Sequence, residues 1–163
     1  MKTEKEIQEV LDFYNANESL LDEASAQRDN ATTRRTKEVI DILANKKDVF
    51  NAEDLESRIE VALFEGNVEY DHEFCHAYDV AEKLESGFYK TNDADEDEDF
   101  DWVFKTVSKM KSYQETGDYS VMLSENECDE DEFGRDDVRR LEFLLDELGV
   151  SAEDQEYIVE CIF

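Results

Sequence analysis

The chain contains two histidines, and both lie in one short segment whose spacing suits chemistry. Residues 71–76 read Asp-His-Glu-Phe-Cys-His, so His72 and His76 are four positions apart and Glu73 follows the first. Residues four apart on a helix share one face, where two imidazoles can bind a zinc ion together. A glutamate beside the first histidine can act as general base toward a metal-bound water. The spacing therefore allows a metal site at His72 and His76, but the leading expectation is that no metal is bound.

This segment resembles the zinc metallopeptidase motif, and the resemblance implies a zinc-dependent peptidase with His72 and His76 as zinc ligands and Glu73 as general base. The periodicity supports it, because residues 68–86 read as one helix with Phe74 and Tyr78 on its apolar side. The extended form of the motif would need a glycine and a third histidine further along the helix. The chain has Asp79 and Glu82 in those places. The peptidase is therefore the alternative hypothesis and not the leading one.

Carboxylates are the most abundant reactive groups, and they concentrate in two runs. Asp and Glu number 46 against 17 Lys and Arg, a formal net charge of -29. The first run contains Asp93, Asp95, Glu96, Asp97, Glu98, Asp99 and Asp101. The second contains Glu125, Glu127, Asp129, Glu130, Asp131, Glu132, Asp136 and Asp137. Further carboxylates between residues 53 and 85 lie three or four apart, which places like charges side by side on helices. Selection for folding alone would intersperse lysines, so the arrangement indicates a function for the charge.

Neither run has the spacing of a calcium loop. An EF-hand needs oxygen ligands at its first, third and fifth positions, glycine at the sixth and glutamate at the twelfth. A loop starting at Asp93 has Glu98 at the glycine position, and one starting at Asp129 ends on Arg140. The sequence also lacks a phosphate-binding glycine loop, a nucleophile elbow and a dinucleotide fingerprint. The leading hypothesis is therefore a protein without a cofactor and without enzymatic activity.

The charge and the hydropathy exclude several classes of function. A net charge of -29 repels nucleic-acid phosphates and anionic lipids, so we expect no direct binding to DNA, RNA or membranes. No apolar run approaches the roughly 18 residues of a membrane span, and the N-terminus lacks the apolar segment of a signal peptide. Three widely spaced cysteines do not suggest a disulfide framework. We expect a cytoplasmic protein that binds a basic protein partner.

The elements that must position these carboxylates are predicted to be mostly helical. Proline is absent and only five glycines interrupt the chain. Thr3 and Glu6 form a capping-box pattern before an apolar helical stripe. Between residues 86 and 124, short aromatic and β-branched segments and the Thr116-Gly117-Asp118 turn favour a small antiparallel hairpin or three-stranded sheet, although residues 102–110 also fit a helix. The expected fold is a compact, mostly α domain with this small sheet.

The charge is distributed unevenly along a chain that has no obvious linker. Residues 1–50 contain 11 acidic and 8 basic residues, whereas residues 51–163 contain 35 and 9. No segment rich in glycine or serine separates the two parts, so residues 1–163 are expected to form a single acidic domain. The nearly neutral, helical residues 1–50 are the natural place for self-association into a homodimer.

In size, composition and charge layout the whole chain resembles the DNA-mimic proteins that phages and mobile elements make against restriction enzymes, CRISPR effectors and other nucleic-acid-binding defences. Those proteins are small, helical and very acidic, and the resemblance rests on no motif. It implies an inhibitor that occupies the basic groove of a nuclease or of another defence or regulatory complex. A globule of this length spans roughly 40 Å, and DNA of that length carries roughly two dozen phosphate charges. The net charge of the chain is of the same order.

The leading hypothesis is therefore a nucleic-acid mimic that binds its target through the two acidic runs. Aromatic residues beside the runs, Tyr70, Phe100, Trp102 and Phe133, are the predicted anchors, because charge sets the rate of binding more than its lifetime. Two alternatives stay open, the zinc peptidase and an acidic chaperone or adaptor for a basic protein. Stoichiometric zinc would indicate the first, and binding that does not displace nucleic acid would indicate the second.

Overall fold

A computed structural model describes residues 1–45, 54–68, 74–123 and 137–163, and in them the chain is mostly helical. Seven α-helices follow one another in these residues: α1 (Glu4–Asn17), α2 (Ser19–Leu43), α3 (Leu55–Leu63), α4 (His76–Ser86), α5 (Glu98–Thr116), α6 (Asp137–Glu147) and α7 (Ala152–Ile162). Three short 3₁₀ turns lie at Phe88–Lys90, Ala94–Glu96 and Tyr119–Met122. Among the described helices, none has both the length and the apolar character needed to cross a bilayer. The predicted mostly α fold is confirmed.

The small sheet predicted around residues 86–124 is wrong as far as the structure describes that stretch. Half of its described residues belong to helix α5, whose buried apolar side chains are Phe100, Val103, Val107, Met110 and Tyr113. Their spacing of three and four residues makes a continuous helical stripe, which outweighs the β-propensity of single aromatic and β-branched residues. Gly117, expected in a hairpin turn, has φ 68° and ends α5, with its N–H bonded to the Tyr113 carbonyl at 2.8 Å. The only β pairing in the described residues is an isolated bridge between Val68 and Leu123.

The described chain divides into two compact units, each built from two separate stretches. Unit 1 consists of Met1–Ser25 and Asn67–Ser124, and unit 2 consists of Ala26–Gly66 and Glu125–Phe163. This division differs from the boundary at residue 50 that the charge predicts. Residues 1–25 have a net charge of -5 and residues 26–50 a net charge of +2, so the near neutrality of residues 1–50 is an average over parts of both units. Whether the units fold as one cooperative domain stays a prediction.

The core of unit 1 forms where α1, α4 and α5 pack against one another. The apolar stripe of α1, Ile7, Leu11 and Tyr14, is buried there together with the stripe of α5. The predicted capping box is confirmed: the Thr3 N–H donates to Glu6 Oε2 at 2.7 Å, and the Glu6 N–H donates to Thr3 Oγ1 at 3.2 Å. The bonds from Thr3 hold the pKa of Glu6 below its ordinary value. The first helix therefore begins where its sequence indicates.

Unit 2 has a core of its own, in which α3 packs against α6 and α6 packs against α7. Its fully buried residues include Val39, Leu43, Ile59, Leu63, Leu141, Leu145 and Ile158. Three arginine–carboxylate pairs of the described residues lie outside this core: Arg28 with Asp29 at 2.9 Å, Arg35 with Glu65 at 2.9 Å and Arg58 with Glu147 at 3.0 Å. Unit 2 thus combines an aliphatic core with one partly buried ion pair, Arg35 with Glu65, and two more exposed pairs.

Helix α4 begins later than its sequence predicts. One helix is expected over residues 68–86, but α4 begins at His76, and Cys75 before it has a left-handed backbone with φ 51° and ψ 40°. A non-glycine residue in this conformation cannot continue a right-handed helix. Phe74 and Tyr78, expected on the buried side, are 65% and 68% exposed, while Ala77 and Val80 are buried.

Candidate partner-binding surface

The first acidic run is an ordered segment that leads into α5. Ala94 and Phe100 are each 1% exposed, so the segment is attached to the core of unit 1 on both sides of its centre. Asp93 Oδ1 accepts a hydrogen bond from the Asp95 N–H at 3.0 Å and caps a 3₁₀ turn, and Asp97 immediately precedes α5. Carboxylates at a helix N-terminus are stabilised by the helix dipole. The run is therefore positioned by the fold.

The fold divides the carboxylates of this run into inward and outward groups. The side chains of Asp97 and Asp99 are only 9% and 24% exposed. Asp95, Glu96 and Glu98 are exposed. The alternation arises because the chain passes from a 3₁₀ turn into α5 within these residues, so neighbouring side chains point in different directions. Only part of the predicted run can face a partner.

Lysines of unit 1 bind other members of the run. Lys105 Nζ lies 2.9 Å from Asp101 Oδ2, one turn further along α5. Lys2 Nζ lies 3.3 Å from Asp95 Oδ1, which places the start of α1 beside the run. Both pairs are partly exposed, so each contributes little stability but removes one carboxylate charge locally.

Lys83 joins helix α4 to the two inward carboxylates. Its Nζ donates to Asp97 Oδ1 at 2.7 Å and to Asp99 Oδ2 at 2.9 Å. The Tyr89 hydroxyl donates to the other oxygen of Asp97 at 2.6 Å. His76 Nδ1 lies 2.7 Å from the other oxygen of Asp99. All four carboxylate oxygens thus have partners within unit 1, and we call these five residues the Lys83 cluster.

The electrostatics of the Lys83 cluster favour its paired form at neutral pH. Burial lowers the pKa of Lys83, but its bonds to Asp97 and Asp99 outweigh burial and leave that pKa above its ordinary value. Burial raises the pKa of Asp99, but the bonds from His76 and Lys83 outweigh it and leave that pKa below its ordinary value. The pKa of Tyr89 is raised strongly, first by burial and then by the hydrogen bond to Asp97 and the nearby negative charges. Lys83 and Asp99 therefore stay charged and Tyr89 stays neutral.

The Lys83 cluster brings two groups of outward carboxylates onto adjoining segments. Glu82 and Glu85 lie on either side of Lys83 in the sequence and are exposed, as are Glu96 and Glu98 around the inward aspartates. Because Lys83 contacts those aspartates directly, the two segments lie within about one helix diameter of each other. Repulsion between like charges opposes this approach, and the cation between the segments offsets it. We call Glu82, Glu85, Asp95, Glu96 and Glu98 the acidic edge.

Few cations remain in unit 1 to neutralise this edge. By sequence, unit 1 has 22 Asp and Glu against 7 Lys, a net charge of -15. Lys2, Lys83 and Lys105 are bound to carboxylates of the run, and Lys111 Nζ lies 5.1 Å from the centre of the Phe13 ring. The exposed carboxylates therefore produce a strongly negative potential on an ordered surface.

The helix predicted through the zinc motif is interrupted at Cys75. Because Cys75 is left-handed and α4 begins at His76, no continuous helix joins the positions of the two histidines. His72 and Glu73 lie outside the described residues. Within residues 1–45, 54–68, 74–123 and 137–163, no three His, Cys, Asp or Glu side chains form a group that could hold a metal ion. The single helix predicted over residues 68–86 is therefore wrong at Cys75, and zinc binding by His72 and His76 stays a prediction.

His76 instead packs within unit 1. Its ring stacks on Trp102, with 4.9 Å between ring centres, and on Phe74, with 5.6 Å between ring centres. Its Nδ1 is bound to Asp99, and its side chain is 20% exposed. The imidazole thus links the Lys83 cluster to a short aromatic stack that reaches the surface at Phe74.

The structure changes the list of aromatic anchors. Phe100 is 1% exposed and lies in the core, so its predicted role as an anchor is wrong. Trp102 is half-buried against His76, and Tyr70 and Phe133 lie outside the described residues. The exposed aromatic side chains near the Lys83 cluster are Phe74 and Tyr78 on either side of His76, which the helical periodicity had assigned to the buried side.

Most of the second acidic run lies outside the described residues. Only Asp137 is described, and it is the half-buried first residue of α6. The remaining seven, Glu125, Glu127, Asp129, Glu130, Asp131, Glu132 and Asp136, lie outside the described residues.

Sequence reasoning missed Lys83 and the carboxylates of α1. Lys83 is the first basic residue after Arg58, and a single cation in so acidic a stretch was a usable signal. Glu9 and Asp12 are exposed on α1, next to α4 and α5 in unit 1. The sequence did not single out these two carboxylates because the net charge was averaged over residues 1–50, which belong to both units.

Comparison with known proteins adds no relative to this description. No protein-family model, no curated protein and no solved structure matches the chain. Its function must therefore be argued from its own residues.

Proposed function

We propose that this chain is an acidic nucleic-acid mimic that occupies the basic nucleic-acid-binding groove of a nuclease or of another defence or regulatory protein. The observation that supports the proposal is the acidic edge. Its carboxylates are exposed, lie on ordered segments, and are held together by Lys83 bound to Asp97 and Asp99 at 2.7 and 2.9 Å.

The spacing of the carboxylates suits a groove that binds phosphates. Glu82 and Glu85 are three residues apart on α4, a spacing that places Cβ atoms about 5–6 Å from each other. The phosphates of one DNA strand follow one another at about 3.4 Å of helix axis. The two glutamates and the phosphates thus both present negative charges a few ångströms apart, so cations arranged for one can pair with the other.

Order in the acidic edge distinguishes it from a disordered acidic tail. A flexible acidic tail would lose conformational entropy on binding, whereas side chains on formed helices lose only rotamer freedom. Phe74 and Tyr78 add exposed aromatic surface beside the edge, and aromatic residues commonly carry the lasting part of an interface energy. We expect the charge to speed association and the aromatic residues to prolong it.

Competition for nucleic acid tests this function. The chain would first be immobilised and used to capture bacterial proteins at low salt. The captured proteins would be eluted at about 1 M NaCl. Each would then be purified and bound to labelled DNA or RNA. We expect the chain to displace the nucleic acid stoichiometrically, with an affinity that falls as salt rises. Capture without displacement would indicate a chaperone or adaptor and would contradict the mimic.

A matched pair of variants tests whether the acidic edge makes the contact. The first variant replaces Glu82, Glu85, Glu96 and Glu98 by Gln. The control replaces four exposed glutamates of unit 2, Glu142, Glu153, Glu156 and Glu160, by Gln and has the same net charge. Each exposed ion pair is worth about 0.2–1 kcal/mol, so we expect the first variant to compete about tenfold less well than the control. Equal losses would show that only the net charge matters.

A further inference from the structure

Unit 2 has an apolar groove along the exposed face of α3. Two adjoining hollows of about 510 and 370 Å³ lie on either side of this face and share Val61 and Arg140 in their walls. Val61 is 72% exposed, Phe143 is 50% exposed and Phe64 is 36% exposed. Single exposed apolar side chains are ordinary on a protein surface, but three lining one groove indicate an interaction site.

The charge of this groove differs from that of the whole chain. Among the residues that the structure describes, the charged members of its walls are the acidic Asp29, Glu60 and Glu147 and the basic Arg58 and Arg140, so this described lining is close to neutral. Arg58 also pairs with Glu147 at 3.0 Å at one side of the groove. The chain as a whole has 46 acidic and 17 basic residues. Apolar surface and balanced charge thus occur together on a molecule that is otherwise strongly acidic.

The balance of charge indicates what fits the groove. A basic partner would be drawn to the more acidic surfaces, and an acidic partner would be repelled by the net charge of -29. Two copies of this chain repel each other for the same reason, and they repel least where the local charge is near zero. A twofold dimer joins the same surface patch of both copies. Because the rim of this groove contains both Arg58 and Glu147, the arginine of one copy can pair with the glutamate of the other. We infer that the groove along α3 is a self-association surface on which a second copy of this chain docks.

Within the described part of residues 1–50, which the sequence favours for self-association, only Asp29, Thr32 and Thr33 of α2 line this groove. The apolar stripe of α1, Ile7, Leu11 and Tyr14, is at most 2% exposed, and Val39 and Leu43 of α2 are fully buried. These side chains serve the cores of their own units. Val61, Phe64 and Phe143 are exposed instead, and they can meet a second copy.

Sedimentation measurements over protein concentration test the dimer. Three apolar residues and a polar rim predict a reversible dimer with a dissociation constant in roughly the micromolar range. Raising NaCl from about 0.1 to about 1 M should tighten the dimer, because it shortens the Debye length from about 10 to about 3 Å and screens the repulsion between copies. A chain that stays monomeric at all concentrations and at both salt levels would overturn the inference.

Variants of α3 locate the interface. Val61→Glu places a charge on each side of the twofold interface, and we expect the dimer to weaken at least about a hundredfold. Val61→Ser removes only the apolar contact and should weaken it about tenfold. Tyr157→Glu, at an aromatic side chain of α7 that is 58% exposed, is the control and should change the dissociation constant less than about threefold. Circular dichroism confirms that each variant is folded, and a dimer that resists both Val61 changes would refute the assignment.

The dimer and the proposed competition with nucleic acid can fail separately. Added salt should strengthen the dimer and weaken the competition with nucleic acid. Val61→Ser should leave competition by a folded monomer unchanged, because Val61 belongs to unit 2 and the acidic edge belongs to unit 1. A parent chain that competes with nucleic acid but never dimerises would therefore count against the groove alone, and one that dimerises but does not compete would count against the acidic edge alone.

Discussion

Units 1 and 2 carry nearly the same net charge but accommodate it in different ways. By sequence, unit 1 has a net charge of -15 and unit 2 a net charge of -14. All seven cations of unit 1 are lysines, whereas unit 2 contains all seven arginines of the chain. In unit 1 one lysine holds two inward aspartates and leaves an acidic edge exposed. In unit 2 arginines pair with glutamates beside an apolar groove of balanced charge. The position of a few cations, and not the net charge, distinguishes the two surfaces.

Burial decides how much each ion pair contributes to stability. In unit 1 the side chains of Lys83, Asp97 and Asp99 are 29%, 9% and 24% exposed. In unit 2 those of Arg35 and Glu65 are 20% and 14% exposed, whereas those of Arg58 and Glu147 are 35% and 47% exposed. Exposed pairs are screened by water and salt, whereas groups held away from water lose their hydration and depend on their partners. Four substitutions test this contrast.

The largest effect is expected where the acidic run is attached to the core of unit 1. Phe100→Ala leaves a cavity beneath the run, and we expect it to lower the free energy of unfolding by about 3–5 kcal/mol. Phe104, one turn along α5 and 40% exposed, is the control, and Phe104→Ala should cost less than about 1.5 kcal/mol. Urea unfolding followed by the fluorescence of Trp102, the single tryptophan, measures both. Equal losses would show that the run is not attached through Phe100.

A smaller loss is expected from removing the cation of the Lys83 cluster. Lys83→Met leaves Asp97 and Asp99 charged, partly buried and without this donor, which should lower the free energy of unfolding by about 2–3 kcal/mol. Lys90→Met, at an exposed lysine, should stay within about 0.5 kcal/mol of the parent. Urea unfolding under identical conditions compares them. A loss no larger than that of Lys90→Met would remove the basis for treating Lys83 as the residue that holds the edge together.

The stability of unit 1 should depend on pH through Asp99. Its pKa lies below the ordinary value of 3.8 in the folded chain, so the unfolded chain binds a proton more readily. The contribution of Asp99 is therefore complete above that ordinary value and is lost as the pH falls through the lowered pKa. We expect the unfolding free energy to decline below about pH 4 and Asp99→Asn to flatten this decline. The same acid slope in the variant and the parent would contradict the assignment.

The smallest effect is expected for the exposed pair of unit 2. Arg58→Gln removes the bond to Glu147 but leaves a hydrated carboxylate, so the free energy of unfolding should fall by only about 0.2–1 kcal/mol. Urea unfolding followed by circular dichroism measures it. A loss as large as that of Lys83→Met would erase the difference between the two units.

Local sequence patterns predicted helices well where one signal dominated. The stripe of Ile7, Leu11 and Tyr14 and the Thr3–Glu6 capping box identify α1, because period and cap lie within a few residues of each other. The prediction of a sheet around residues 86–124 was wrong because it relied on the β-propensity of aromatic residues. That propensity takes no account of the burial that these residues gain in α5. The start of α4 failed because nothing in the local pattern reveals the left-handed conformation of Cys75.

The sequence by itself determined the excess of carboxylates, their two runs and the helical periodicity, since each depends only on residue type and spacing. The tertiary structure decided which carboxylates face outward. Lys83 meets Asp97 and Asp99 from 14 and 16 positions away, and these contacts exist only once α4 packs against α5. The exposed face of α3 depends likewise on what its neighbours leave uncovered. The net charge is a property of the sequence, whereas packing between elements distant in sequence decides whether each charged side chain points inward or outward.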